Sequence, residues 1–150
     1  MIPRSVLARY HVVLDYPKGK FTLAQPNTLK PRGTVLPMPV TKGQGFPRTE
    51  IDVGGVKYGF LLDTGASFSV VSEVVLKSWG EHHPDWPRHP GGVGEATTLG
   101  GQTLETMFVS GARWGPYALR ELGVTSRREG TFENHMSGIV GAPIVGSLAG

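Results

Sequence analysis

The sequence predicts an all-β domain, and three observations carry that prediction. Glycine and proline are frequent, at 22 and 12 of 150 residues; charged residues make up only 18%; and no long run rich in Ala, Leu, Glu and Lys is present. Such a profile suits short strands joined by many turns rather than a helical bundle. The length leaves room for one ordinary domain with a real hydrophobic core.

The elements follow in chain order. Tyr10-His11-Val12-Val13-Leu14 is β-branched and apolar, Asp15-Tyr16-Pro17-Lys18-Gly19 has turn chemistry, and Lys20-Phe21-Thr22-Leu23 reads as the returning strand of a hairpin. Val12, Leu14, Phe21 and Leu23 are its expected core-facing residues. Residues 25–39 hold four prolines, Pro26, Pro31, Pro37 and Pro39, which favour an extended linker. Thr49-Glu50-Ile51-Asp52-Val53 alternates as a strand. Gly54-Gly55 then supplies the positive φ angles of a tight hairpin turn. The return strand, 56–62, ends in the unbroken apolar run Phe60-Leu61-Leu62, typical of a strand buried on both faces.

A short helix is expected over about 73–79. Ser72 suits its N-cap, Glu73 its first turn and Gly80 the position just past its end. Residues 81–94 read as a loop rich in His, Pro and Gly. Leu99-Gly100-Gly101-Gln102 reads as a tight turn feeding a strand near 104–109, and a further strand is expected near 119–124. The resulting division is a helix and hairpin over 1–24, a proline-rich linker over 25–45, and a main lobe over 46–150.

Composition narrows the function classes. The formal charge is +3, but Lys and Arg are scattered without a long run, so nucleic-acid binding gets little support. The absence of cysteine removes disulfides, thiolate chemistry and Cys-based zinc sites. No apolar run approaches the length of a membrane span, and no segment resembles a signal peptide. None of this fixes a compartment.

The sequence that carries chemistry is Phe60-Leu61-Leu62-Asp63-Thr64-Gly65-Ala66-Ser67. Amide hydrolysis without a metal or covalent nucleophile needs one group to activate water and another to protonate the carbonyl and the leaving amine. Two adjacent carboxylates sharing a proton supply both, because like charges push their apparent pKa values apart. Alone, Asp-Thr-Gly reads better as a simple turn after a strand. The buried strand before it and Ser137-Gly138-Ile139-Val140-Gly141 far downstream favour the catalytic reading.

In that context the two segments resemble those of the retropepsin-like aspartic protease family, over roughly 49–150. The resemblance implies a closed acid-protease barrel lobe with one or two short helices. It makes Asp63 the catalytic carboxylate and Thr64 a hydrogen-bonding residue across a two-fold axis. Gly65 would allow the backbone to approach the carboxylates closely and donate its N–H, and Ala66, which keeps that approach narrow, is an expected substrate-binding residue. Ile139-Val140-Gly141 would pack behind the catalytic loop and lead into a short helix. A mobile flap over the substrate is expected at Gly92, Val93 and Gly94. The implied activity is aspartic endopeptidase, with a peptide or protein substrate and no cofactor. One Asp-Thr-Gly per chain implies a homodimer with Asp63 from each copy. Two alternatives stay open: a non-catalytic binding or dimerisation module of the same fold, and one lobe of a bilobal protease, inactive alone.

The two ends of the chain look alike. Val6, Leu7 and Tyr10 align with Ile144, Val145 and Leu148. The family resemblance places Asp-Tyr-Pro after such a C-terminal helix, whereas Asp15-Tyr16-Pro17 lies near the start. A tandem parent or a circular permutation explains both, and either predicts that the first hairpin packs as strands against the lobe carrying Asp63.

Weaker signals are read as structural. Glu81, His82, His83, Asp85 and His89 are metal-compatible types, but no defensible ligand spacing links them and three prolines interleave, so a solvated loop is expected. Gly92-Val93-Gly94 is no nucleotide fingerprint, since no helix pattern follows it. Trp79, Trp86 and Trp114 read as packing or groove residues.

Overall fold

The computed structural model describes residues 4–40, 47–90, 105–127 and 136–148. The expected flap glycines, the turn at 99–102 and the last part of the linker lie outside them. The elements are α1 (Arg4–Leu7), β1 (His11–Asp15), β2 (Lys20–Ala24), β3 (Arg48–Val53), β4 (Val56–Asp63), β5 (Ser69–Ser72), α2 (Glu73–His82), β6 (Arg88–Pro90), β7 (Glu105–Val109), β8 (Arg113–Trp114), β9 (Tyr117–Ala118), β10 (Leu122–Arg127), β11 (Gly138–Gly141) and α3 (Ala142–Ser147). The architecture is mostly β. A nine-stranded sheet in the order β6-β7-β10-β5-β11-β4-β3-β8-β9 curls into a half-barrel, and three short helices accompany it.

The β3–β4 hairpin forms where alternation and Gly54-Gly55 place it. Both glycines have positive φ, and the Gly55 N–H donates to Asp52 Oδ1 at 2.9 Å, closing the turn. Thr49, Ile51 and Val53 share the inward face. Ile51, Val53 and Phe60 are 0–3% exposed and join Val71, Met107, Val109, Leu122, Val124 and Val140 in one core. The three tryptophans are buried with them. Trp114 can be buried because its Nε1–H donates to Thr49 Oγ1 at 2.6 Å, so the polar edge of the indole does not go unpaired.

Three boundaries differ from the sequence reading. Helix α2 runs past Gly80 to His82. Gly80 does not stop the helix: the Arg88 guanidinium lies where its Cβ would project. The stop comes at His83, whose non-helical backbone avoids the α region disfavoured before Pro84. Within the expected loop over 81–94, Glu81 and His82 are therefore helical, and Arg88–Pro90 forms an edge strand on β7. The strand expected near 119–124 begins at Leu122, because β8 and β9 first make a small hairpin around Gly115, at φ +57.

The first hairpin forms, with Val12 opposite Leu23 and Leu14 opposite Phe21. It forms its own two-stranded sheet rather than adding to the nine-stranded one. Val12, Leu14, Phe21 and Leu23, expected to face the core, are 37–47% exposed. The physical reason is that no third strand pairs with this hairpin among the described residues. The Tyr16 ring sits beside Gly146 of α3, and Thr64 shares a crevice with Leu14 and Phe21. The likeness of the chain's ends is visible as structure: Val6 and Leu7 lie on α1, and Ile144 and Val145 on α3.

Candidate active site

Strand order positions the loop that carries Asp63. β4 and β5 are consecutive in sequence but not adjacent in the sheet, since β11 lies between them, parallel to β4 and antiparallel to β5. The chain leaving β4 at Asp63 must therefore arch over the end of β11 to reach Ser69. Gly141 is the β11 residue paired with Asp63, directly under that arch. A Cβ there would stand 2.6 Å from the Phe68 carbonyl oxygen and 2.8 Å from that of Ala66. Those atoms are backbone and cannot swing aside, so only glycine fits.

Three hydrogen bonds fix the arch from behind. The Gly141 N–H donates to Ser69 Oγ at 3.1 Å, the Ala142 N–H to the Ala66 carbonyl at 2.9 Å, and the Ala66 N–H to the Asp63 carbonyl at 3.1 Å. Lower down, the Ser137 N–H donates to the Gly59 carbonyl and the Ser72 N–H to the Ser137 carbonyl, tying β11 to both neighbours. Gly138 is also confined, since a Cβ there would run into the Val70 carbonyl. Helix α3 follows β11 at once and buries Ile144 in the core.

On this support the Asp63 carboxylate is half-buried, and its Oδ1 accepts the Gly65 N–H at 2.9 Å. No ion pair to Asp63 is found among the described residues. Thr64 and Gly65 are exposed, on the outer side of the arch, and Ala66 is half-buried. The structure thus brings Asp63, Thr64, Gly65 and Ala66 together on one braced loop with Ile139-Val140-Gly141 behind it. Gly92, Val93 and Gly94 lie outside the described residues.

Ser69 was missed at the level of sequence. It is 2% exposed and links β5 to β11 behind the carboxylate. The available signal was a lone hydroxyl inside Phe68-Ser69-Val70-Val71, since a polar group in an apolar strand needs a partner. A cavity of about 810 Å³ lies elsewhere, between Leu36, Pro37 and Pro39 of the linker and the β3–β4 hairpin, and Asp63 does not line it. A smaller one of about 260 Å³ flanks the loop at Ser67 and Phe68 and reaches α3 at Pro143 and Ile144.

The histidine-rich stretch serves packing. His83 stacks on Trp86 with centroids 4.0 Å apart, His82 Nδ1 is 2.7 Å from the Ser78 carbonyl, and His89 meets Phe108 edge-on. Among the described residues no three metal-compatible side chains gather, and no helix is long and apolar enough to cross a membrane.

No family model matches the chain, and no curated protein matches it in sequence. Among solved structures the chain is similar to a retropepsin-like aspartic protease from Rickettsia conorii. The identity is 14% and the TM-score 0.46, over 67% of this chain and 70% of that one.

Proposed function

We propose that the chain is an aspartic endopeptidase subunit that hydrolyses peptide bonds with a water molecule held between two Asp63 carboxylates, one from each copy of a homodimer. The observation that carries this reading is the braced loop: an Asp at a strand end, with its backbone pinned from behind and its side chain accepting the Gly65 N–H. Such bracing is what a group needing fixed placement requires, and a simple surface turn does not.

The chemistry follows from two like charges in contact. One carboxylate stays ionised and the other keeps its proton, the arrangement for which aspartic proteases are the standing example. The ionised partner takes a proton from water as the water oxygen bonds to the scissile carbonyl carbon. The protonated partner gives its proton to the carbonyl oxygen. Collapse of the tetrahedral adduct breaks the C–N bond as the amine leaves with a proton from the dyad. Thr64, exposed at the front of the loop, would hydrogen-bond to the opposite loop and hold the two together. The substrate would be an extended peptide bound by strand-like main-chain hydrogen bonds. The likeness of α1 to α3 favours a second reading, in which the lobe belongs to a two-lobed protease and is inactive alone.

Asp63→Asn tests the proposal, because the amide is nearly isosteric but cannot act as base. Peptide hydrolysis should fall at least about 10²–10⁴-fold with the fold retained. Turnover equal to wild type in purified Asp63→Asn protein would refute the assignment. Specific activity should also decline on dilution as copies separate; activity that stays constant where the protein sediments as a monomer would rule out a shared site.

A further inference from the structure

The cavity of about 260 Å³ beside the Asp63 loop is walled by Phe68 of the arch, Ile144 of α3 and one face of β7 and β10. Pairing explains that face. The pairs Leu122–Val109 and Val124–Met107 are 0–1% exposed and fill the core, so Gly123–Phe108 and Thr125–Thr106 turn to the opposite side. Alternation carries Glu121 to that side with Gly123 and Thr125. Gly123 leaves room for Phe108, whose ring is 3.4 Å from where a Cβ would project. The lining is therefore graded, with threonine hydroxyls at one end and the Glu121 carboxylate at the other, about 13 Å apart on an extended backbone. Thr125 is 5% exposed, and its Oγ1 has no hydrogen-bond partner among the described residues. A buried hydroxyl in that state is costly until a ligand supplies the partner. Glu121 is the one charged residue in the described lining, and no ion pair to it is found among the described residues.

We propose that this cavity receives a Lys or Arg side chain of the peptide on which the Asp63 loop acts. This rests on the catalytic reading of that loop and names what the loop selects. Ser67, which lines the cavity, follows Asp63 by four residues, so the cavity begins within about 14 Å of the Asp63 backbone. An extended peptide covers that span with about four residues. Its main chain would meet Thr125, the aliphatic stem would lie along Phe108, and the cationic head would reach Glu121. Only Lys and Arg combine such a stem with a positive end. An acidic side chain would meet like charge at Glu121. An apolar one would cover the carboxylate and the hydroxyl without pairing either. The volume is below the roughly 300–1,000 Å³ of sites for drug-sized ligands and suits a single side chain.

Peptides cleaved by wild type test this, with each position substituted in turn by Lys, norleucine or Glu. At one position Lys should raise kcat/KM about 10-fold over norleucine, the worth of one charge-assisted hydrogen bond. Glu121→Gln should remove most of that preference, and Glu121→Lys should transfer it to the Glu peptide. A reversed preference is a gain that a misfolded variant cannot imitate. No preference for a basic side chain at any position, or one unaltered by both substitutions, would overturn the proposal and leave the enzyme standing. If no peptide is cleaved, the catalytic reading fails by itself, and calorimetry with extended peptides carrying Lys or norleucine decides the cavity. Lys peptides should then bind wild type about 10-fold more tightly than norleucine peptides, and Glu121→Gln should lose the difference. Equal affinities for wild type, or no binding by either peptide, would overturn the proposal.

Discussion

The chain contains two hairpins written in the same code, and they end in opposite surroundings. In β3–β4, alternation delivers Ile51, Val53 and Phe60 to the core, and a nine-stranded sheet extends from both of its edges. In β1–β2, the same alternation delivers Val12, Leu14, Phe21 and Leu23 to a face left about 40% exposed, on a sheet of two strands. Alternation specifies that a strand has an apolar side. It does not specify which layer covers that side, because the cover comes from residues distant in sequence or from another molecule.

Matched substitutions sharpen the contrast. Phe60→Ala should cost about 3–5 kcal/mol, the usual range for emptying a fully packed aromatic site. Phe21→Ala in dilute protein should cost well under half of that, roughly 1 kcal/mol, since its ring is already half in water. Chemical denaturation of both variants checks the difference, and equal losses would mean that the first hairpin is packed as tightly as the second.

Gly141→Ala probes the arch instead of the core. The added methyl meets the Phe68 and Ala66 carbonyls, so a cost of about 1–3 kcal/mol is expected from forced backbone movement. Any peptide hydrolysis should fall further than stability does, because the displaced segment positions Asp63. Denaturation and activity measured on one sample separate the two effects. Unchanged activity would show that the arch does not place the carboxylate.

The smallest effect concerns acid. Lys18 Nζ donates to Asp15 Oδ2 at 3.1 Å, and this bond holds the Asp15 carboxyl below its ordinary value of 3.8. A carboxyl lowered in the folded state stabilises its hairpin above the unfolded value, and the contribution is lost as pH falls through the lowered folded one. Exchange protection in β1–β2 should therefore weaken on acidification below about 3.8. Asp15→Asn should remove most of that effect. The pair lies at the surface, where solvent screens it, so only a slight change is expected.

Much of the site was legible locally. Asp63 at the end of an apolar run, Gly54-Gly55 as a turn and Ser72 as a helix cap each rest on neighbours within a few residues, and the Val75 N–H does donate to Ser72 Oγ. Gly80 misled for the opposite reason. A glycine near a helix end reads as a stop, but this one makes room for Arg88, a contact that requires the chain to turn back. Ser69 escaped notice because its donor, Gly141, is distant in sequence.

By itself, then, the sequence determined the kinds of element, the turn chemistry and the place of Asp63 at the end of an apolar strand, since dihedral preferences and side-chain periodicity act over short range. Only the tertiary structure decided that β11 passes between β4 and β5 and forces the loop into an arch over Gly141. It alone left the first hairpin outside the main sheet. Both outcomes depend on pairings between distant segments, where burying apolar area competes with the entropy of closing long loops, and no local pattern encodes that balance.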